Sequence, residues 1–302
     1  MLLDRRDDDA EHQDEADTPR EDQEAEPAHR AWHDSPVELG LEGKVAVVAA
    51  SSKGLARAVA EEFAREGARV VMCSRNESAV RSAAEDIATK TGGQIGWTVA
   101  DVGTEAGCDR LIKTAVDRFG TVDVLVSNAG GPPPGRFDDL DDAAWQKAVD
   151  VTLFSAVRLT RLAVPHMRKA GQGSIVYMTS TTVRQPTQYL NLILSNAIRA
   201  AVQGMAKTLS SDLAKDGIRV NCVQPGRIFT ERIEQLDNDT AKRQSTTPAA
   251  IRAHYEKNVI PMGRYGRPDE FAAAVVFLAS PRASYITGTS LQVDGGMLMS
   301  MF

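Results

Sequence analysis

Seven short apolar runs alternating with stretches of helical periodicity most constrain the fold of this chain. They are VAVVA (45–49), RVVMC (69–73), IGWTVA (95–100), DVLVS (123–127), SIVYMT (174–179), IRVNCV (218–223) and TSLQV (289–293). Near-continuous runs rich in Val and Ile belong to strands buried on both faces, as in a parallel sheet covered by helices. Between them, apolar residues recur at helical spacing. Leu55, Val59 and Phe63 form one stripe that stops at Gly67, and Trp145, Val149, Leu153, Val157 and Leu162 form another within 141–170. Strand and helix in alternation, with right-handed crossovers, predict an α/β fold built on a single doubly wound parallel seven-stranded sheet with helices on both faces. Its ligand crevice is expected outside the carboxyl ends of the strands, where the strand order reverses.

The charge is unevenly placed. Of a net −6 over 302 residues, residues 1–36 carry 13 Asp/Glu against 4 Lys/Arg, so the remainder is slightly basic. A segment that acidic and that poor in apolar residues cannot repay its ordering entropy, so 1–36 is expected to be a disordered acidic extension and 37–302 the folded domain. Arg5 and Arg6 run into aspartates rather than an apolar h-region, which argues against a secretory signal. No apolar run is long enough for a membrane helix. Three scattered cysteines, Cys73, Cys108 and Cys222, make neither a CxxC pair nor a disulfide framework, and a reducing, cytoplasmic setting is expected. His166 and His254, the only histidines beyond the extension, lie too far apart for metal-ligand spacing, so no metal is expected. The folded part has no basic stripe, which argues against nucleic acid as a partner; a small molecule is expected instead.

Two segments stand out. The first strand runs into AASSKGLAR (49–57), a small-residue turn opening a helix, where close backbone approach and unpaired N–H groups can hold a pyrophosphate. After the sixth strand, about forty residues precede Pro268, with a polar section (237–248) and a short helical segment, AAIRAHYEKNVI. Insertions of that length are usually binding loops, and 227–262 reads as a mobile substrate cover.

These residues carry a resemblance. Residues 41–296 resemble a short-chain dehydrogenase/reductase of classical length, with a Rossmann-type sheet, close to the bacterial 3-oxoacyl-carrier-protein-reductase-like members. The family's TGxxxGIG turn is matched by Ala49, Ala50, Ser51, Ser52, Lys53, Gly54, Leu55 and Ala56. Its NNAG is matched by Ser127, Asn128, Ala129 and Gly130, and its adenine-contacting Asp by Asp101, followed by Val102. PGRIFT (225–230) resembles the PG motif beside the nicotinamide, which implies cofactor contacts from Pro225, Gly226, Ile228 and Thr230. The run 263–296 matches the family's C-terminal region. The resemblance also implies a homo-oligomer, a tetramer or dimer.

The end of the second strand argues the cofactor type. An NAD site places an acid about 20 positions beyond the glycine turn, whereas NADP needs a cation for its extra phosphate. This chain has Cys73, Ser74, Arg75 and Asn76 there. Arg75, with Lys53 in the turn, therefore points to NADP(H) in preference to NAD(H).

The family's Tyr-x-x-x-Lys pair is absent. The segment SNAIRAAVQGMAKTLS (195–210) resembles the helix that the pair opens, which puts Ser195 at the Tyr position and Arg199 at the Lys position. Thr152, seven residues after Trp145, occupies the family's Asn position, and Ser180 matches its catalytic Ser. An alkyl hydroxyl is a far poorer acid than a phenol, and arginine stays charged. Ser180, Ser195 and Arg199 are therefore expected to stabilise a developing oxyanion, in reduction of an activated carbonyl or in conjugate hydride addition to an enone. Tyr189, Tyr255 and His254 are the candidates for a substitute proton donor. The competing reading is a dinucleotide-binding regulator or scaffold that has lost catalysis.

Overall fold

The computed structural model describes residues 38–186 and 190–300. The acidic extension expected over 1–36 lies outside the described residues, as does Tyr189. Seven strands, β1 (Val45–Val48), β2 (Arg69–Ser74), β3 (Ile95–Val99), β4 (Val124–Ser127), β5 (Gly173–Met178), β6 (Ile218–Pro225) and β7 (Ser290–Val293), form one parallel sheet in the order β3-β2-β1-β4-β5-β6-β7. Each coincides with one of the seven apolar runs.

Nine helices fill the connections among the described residues: α1 (Gly54–Arg65), α2 (Glu77–Thr91), α3 (Glu105–Phe119), α4 (Asp142–Ala148), α5 (Ser155–Ala170), α6 (Ile193–Asp212), α7 (Glu231–Arg243), α8 (Pro248–Asn258) and α9 (Pro268–Ala279). Local chemistry sets their ends. Asn76 and Thr104 accept from the amides of Ala79 and Gly107 to cap α2 and α3, and both helices stop at a left-handed glycine, Gly92 or Gly120.

The strands bury alternate residues into two cores. Ala46 and Val48 face α1, α2 and α9 with Phe63, Ile87 and Phe271, while Val45 and Val47 face α3, α5 and α6 with Leu111, Leu159 and Val202. That double burial is why the strand sequences are apolar without alternation. From β1 the chain winds outward through β2 and β3, then crosses back to β4 on β1's other edge. The reversal between β1 and β4 opens the crevice.

Two local features differ from the sequence reading. The stretch 141–170 is one rod but not one regular helix, because residues Val149–Phe154 between α4 and α5 form a π turn. The polar section 237–248 is largely helical. It continues α7, which Thr230 caps through the amide of Ile233 and which turns Leu236, Thr240 and Ala241 inward. Charged residues on the other face hide that one-sided pattern in a composition reading.

Candidate active site

The turn after β1 is built from the inside by its own backbone. Ala49 donates its N–H to the Val126 carbonyl, and Ser51 donates its N–H to Cys73 and its hydroxyl to Val48. Both residues are fully buried, so they support the turn instead of offering it free donors. Ala50 stands at φ +50°, in the left-handed region, with its N–H 3.3 Å from the Cys73 Sγ, and Gly54 follows at φ +62° where α1 begins. The first turn of α1 has no acidic residue and no side-chain cap, so its N–H groups and positive dipole end face the crevice. Leu55 packs against the core below.

The other predicted nucleotide contacts sit around this turn. The Asn128 Nδ2 donates to the carbonyls of Ala49 and Ala50, at 3.4 Å each, which joins the turn after β4 to the turn after β1. Ala129 is buried and Gly130 exposed beyond it. Asp101 holds its own loop, with Oδ1 accepting from the Gly103 amide, while the Val102 side chain is buried. At the end of β2, Ser74 and Asn76 bond each other, and Arg75 is exposed with no partner among the described residues. Lys53 is engaged, pairing with Glu231 at the start of α7, a contact that sequence reasoning did not foresee.

On the far side, Gly226 lets two segments of the chain meet. A β-carbon there would lie 2.5 Å from the Asp294 Cβ, and the Gly226 N–H donates to Val293. Pro225 accepts from the Thr181 hydroxyl. Ile228 is buried in the core with its N–H spent on Gly226, and Thr230 is spent on capping α7.

Arg199 holds the centre of the site. From α6 it donates through Nη1 to the Met178 carbonyl at the end of β5. With Asn128, Ala129, Thr152 and Met178 it lines a cavity of about 10 Å³, a size that admits one water. Burial, and then the charge of Arg232, pull its pKa down to about 10, which leaves it charged at neutral pH. Thr152 sits in the π turn, and its Oγ1 is buried with no hydrogen-bond partner among the described residues. A π turn displaces the residues it carries from regular helix register, and such turns recur at functional sites.

Ser195 lies one turn before Arg199 on the same face of α6, half-buried. Ser180 does not line the Arg199 cavity but joins α6 through a chain that the sequence did not announce. The Ser180 Oγ lies 2.8 Å from the Thr182 Oγ1, which donates to the Asn196 Oδ1 at 2.7 Å. Thr182 has one hydroxyl proton and spends it on Asn196, so Ser180 donates to Thr182 and is left an acceptor. Turning the Asn196 carboxamide over places its NH₂ toward Thr182, reverses the chain and frees the Ser180 proton.

Two of the described tyrosine hydroxyls are hydrogen-bonded away from the cavity, Tyr177 to Thr160 and Tyr265 to Asp237. Tyr177 forms part of the cavity wall, but its hydroxyl bonds Thr160 at 2.5 Å, and burial raises its pKa. Tyr255, a candidate proton donor from sequence, is a buried residue of α8, its ring stacked 3.8 Å under the Arg227 guanidinium. Arg227 also pairs with Asp237 at 2.7 Å, and Asp237 accepts from the Tyr265 hydroxyl, so this buried set ties α7 and α8 to the loop after β6. Tyr285 is fully exposed. His254 is exposed and bonded to Asn258.

A family model described as enoyl-(acyl carrier protein) reductase matches residues 49–298. The chain is 38% identical over 259 residues to the Bos taurus dehydrogenase/reductase SDR family member 4, covering 85% of this chain and 88% of that protein. Among solved structures, L-sorbose reductase from Gluconobacter frateurii, complexed with NADPH and L-sorbose, superimposes with a TM-score of 0.82 at 35% identity, covering 87% of this chain and 100% of that one. A variant of actinorhodin polyketide ketoreductase with NADPH gives a TM-score of 0.81 at 30% identity, covering 85% and 98%.

Proposed function

For a chain that belongs to the short-chain dehydrogenase/reductase family, we propose an NADP(H)-dependent reductase of an activated carbonyl or a conjugated enone that works by oxyanion stabilisation instead of tyrosine acid catalysis. The observation that carries this reading is the charged Arg199 guanidinium at the cavity beside Asn128 and Thr152, where the lining tyrosine, Tyr177, gives its hydroxyl to Thr160.

The residues fit the nucleotide. The open N-terminus of α1 suits a pyrophosphate, the left-handed Ala50 and Gly54 bring backbone close to it, and the unpaired Arg75 suits a 2′-phosphate where no acid would repel one. The L-sorbose reductase and actinorhodin ketoreductase structures that superimpose on this chain hold NADPH. When bound, NADPH supplies the hydride. Arg199 and Ser195 donate hydrogen bonds to the oxygen that gains charge as hydride reaches carbon, and low dielectric around a half-buried guanidinium strengthens that interaction. Ser180 joins them when the Asn196 amide is turned to free its proton. Water or the substrate then supplies the proton, and the unpartnered Thr152 hydroxyl orients that water. The cover of α7 and α8 excludes bulk solvent.

NADPH and NADH titrations followed by nicotinamide fluorescence, then a panel of ketones, quinones and enones, test this reading. NADPH binding with turnover on activated acceptors is expected, with Arg199→Met lowering kcat roughly 100-fold while nucleotide binding is kept. Tight NADPH binding with no acceptor reduced would instead favour a dinucleotide-binding regulator.

A further inference from the structure

A second arginine faces the same cleft. Arg232 on α7 donates through Nη2 to the carbonyl of Pro132 at 3.3 Å. Arg199 borders the preceding residue, since a β-carbon on Gly131 would lie 3.7 Å from its Nη2. Two guanidinium groups, one from α6 and one from the cover, thus bracket the Gly131–Pro132 rim of the pocket.

Neither forms an ion pair with a carboxylate among the described residues. Arg199 bonds a carbonyl, and Arg232 bonds a carbonyl and the side chain of Gln235. Glu231, the nearest acid in sequence, pairs with Lys53, and Asp239 acts on Arg232 only through its field. Burial lowers the pKa of both arginines, and Arg232 lowers that of Arg199 further. Two partly desolvated like charges held at one rim are costly unless an anion joins them.

On the reading that Arg199 faces the reacting oxygen, we infer that the substrate carries a carboxylate next to the reducible carbonyl, as in a 2-oxo acid, and that Arg232 binds that carboxylate. The two arginines border adjacent residues, so anion and reacting centre lie within the span of one small functional group. Planar guanidinium donors match a planar carboxylate, and Arg232 lies on the cover, so an acid substrate would itself draw the cover down.

The test is calorimetric titration of the NADP⁺-loaded full chain with pyruvate, 2-oxobutanoate and phenylpyruvate, each against its methyl ester. At least one acid is expected to bind about tenfold or more tightly than its ester. Arg232→Gln is expected to abolish that preference, and Arg232→Lys to restore part of it. NADPH titration and a melting curve confirm that both variants are folded. The inference is overturned if no acid binds, if acids and esters bind alike, or if the preference survives Arg232→Gln. Failure to bind NADPH would sink the reductase reading instead, and the acid-against-ester comparison on the nucleotide-free chain would still report on Arg232.

Discussion

Lys53 in the turn after β1 reaches Glu231, the first residue of α7, with Nζ 2.9 Å from Oε2. Both side chains are mostly exposed, at 74% and 68%, so the pair adds at most about 1 kcal/mol to stability. Its effect is expected on binding. Glu231→Gln frees Lys53 for a phosphate, so NADPH should bind severalfold more tightly at low ionic strength, with a smaller gain for NADH. The gain should fade in high salt. Fluorescence titration of both nucleotides at two salt concentrations checks this.

Arg75 has no competing acid and no partner among the described residues. A charge-assisted bond to a phosphate is worth about 1.5–3 kcal/mol, so Arg75→Ala should weaken NADPH binding roughly 10- to 100-fold and leave NADH nearly unchanged. Equal losses for both nucleotides would mean that Arg75 does not read the 2′-phosphate.

Asn196 decides which way the Ser180–Thr182 chain runs. An aspartate there can only accept, so Asn196→Asp locks Ser180 as a donor to Thr182. The expected result is a kcat about tenfold lower, with NADPH affinity and melting temperature near those of the parent. An unchanged kcat would show that Ser180 gives no proton to the reacting oxygen.

Glu270 opens α9 and accepts from the Arg264 guanidinium, at 2.6 and 2.8 Å, and from the Arg267 amide at 2.7 Å. The Arg264 hydrogen bonds, then that amide, hold its pKa at about 2, below the ordinary 4.5. A carboxylate depressed by folding stabilises the native state above its ordinary pKa, and that stability is lost as pH falls from 4.5 towards 2. Glu270→Gln should therefore cost about 1 kcal/mol at neutral pH, a figure reduced for solvent screening. The gap to the parent should close in acid, as read by urea unfolding at a series of pH values.

The sheet was legible because its cause is local. A strand covered on both faces is apolar at nearly every position, so VAVVA declares itself, and the β1–α1 turn shows in its run of small residues. The helical character of 237–243 was hidden, because an α7 that buries only a narrow stripe looks polar in composition. Sequence alone also nominated Ser180, Ser195, Arg199 and Thr152 as site residues, of which Arg199 and Thr152 line one cavity. Only the tertiary structure could show that Tyr255 stacks on Arg227, that Tyr177 gives its hydroxyl to Thr160, that Thr182 links Ser180 to Asn196, and that Arg232 shares a rim with Arg199. The contacts behind these pairings join residues from 14 (Thr182 and Asn196) to 100 (Pro132 and Arg232) positions apart. Periodicity reports which face of an element is buried, whereas the meeting of side chains from different elements depends on how crossovers and packing angles aim them into one crevice.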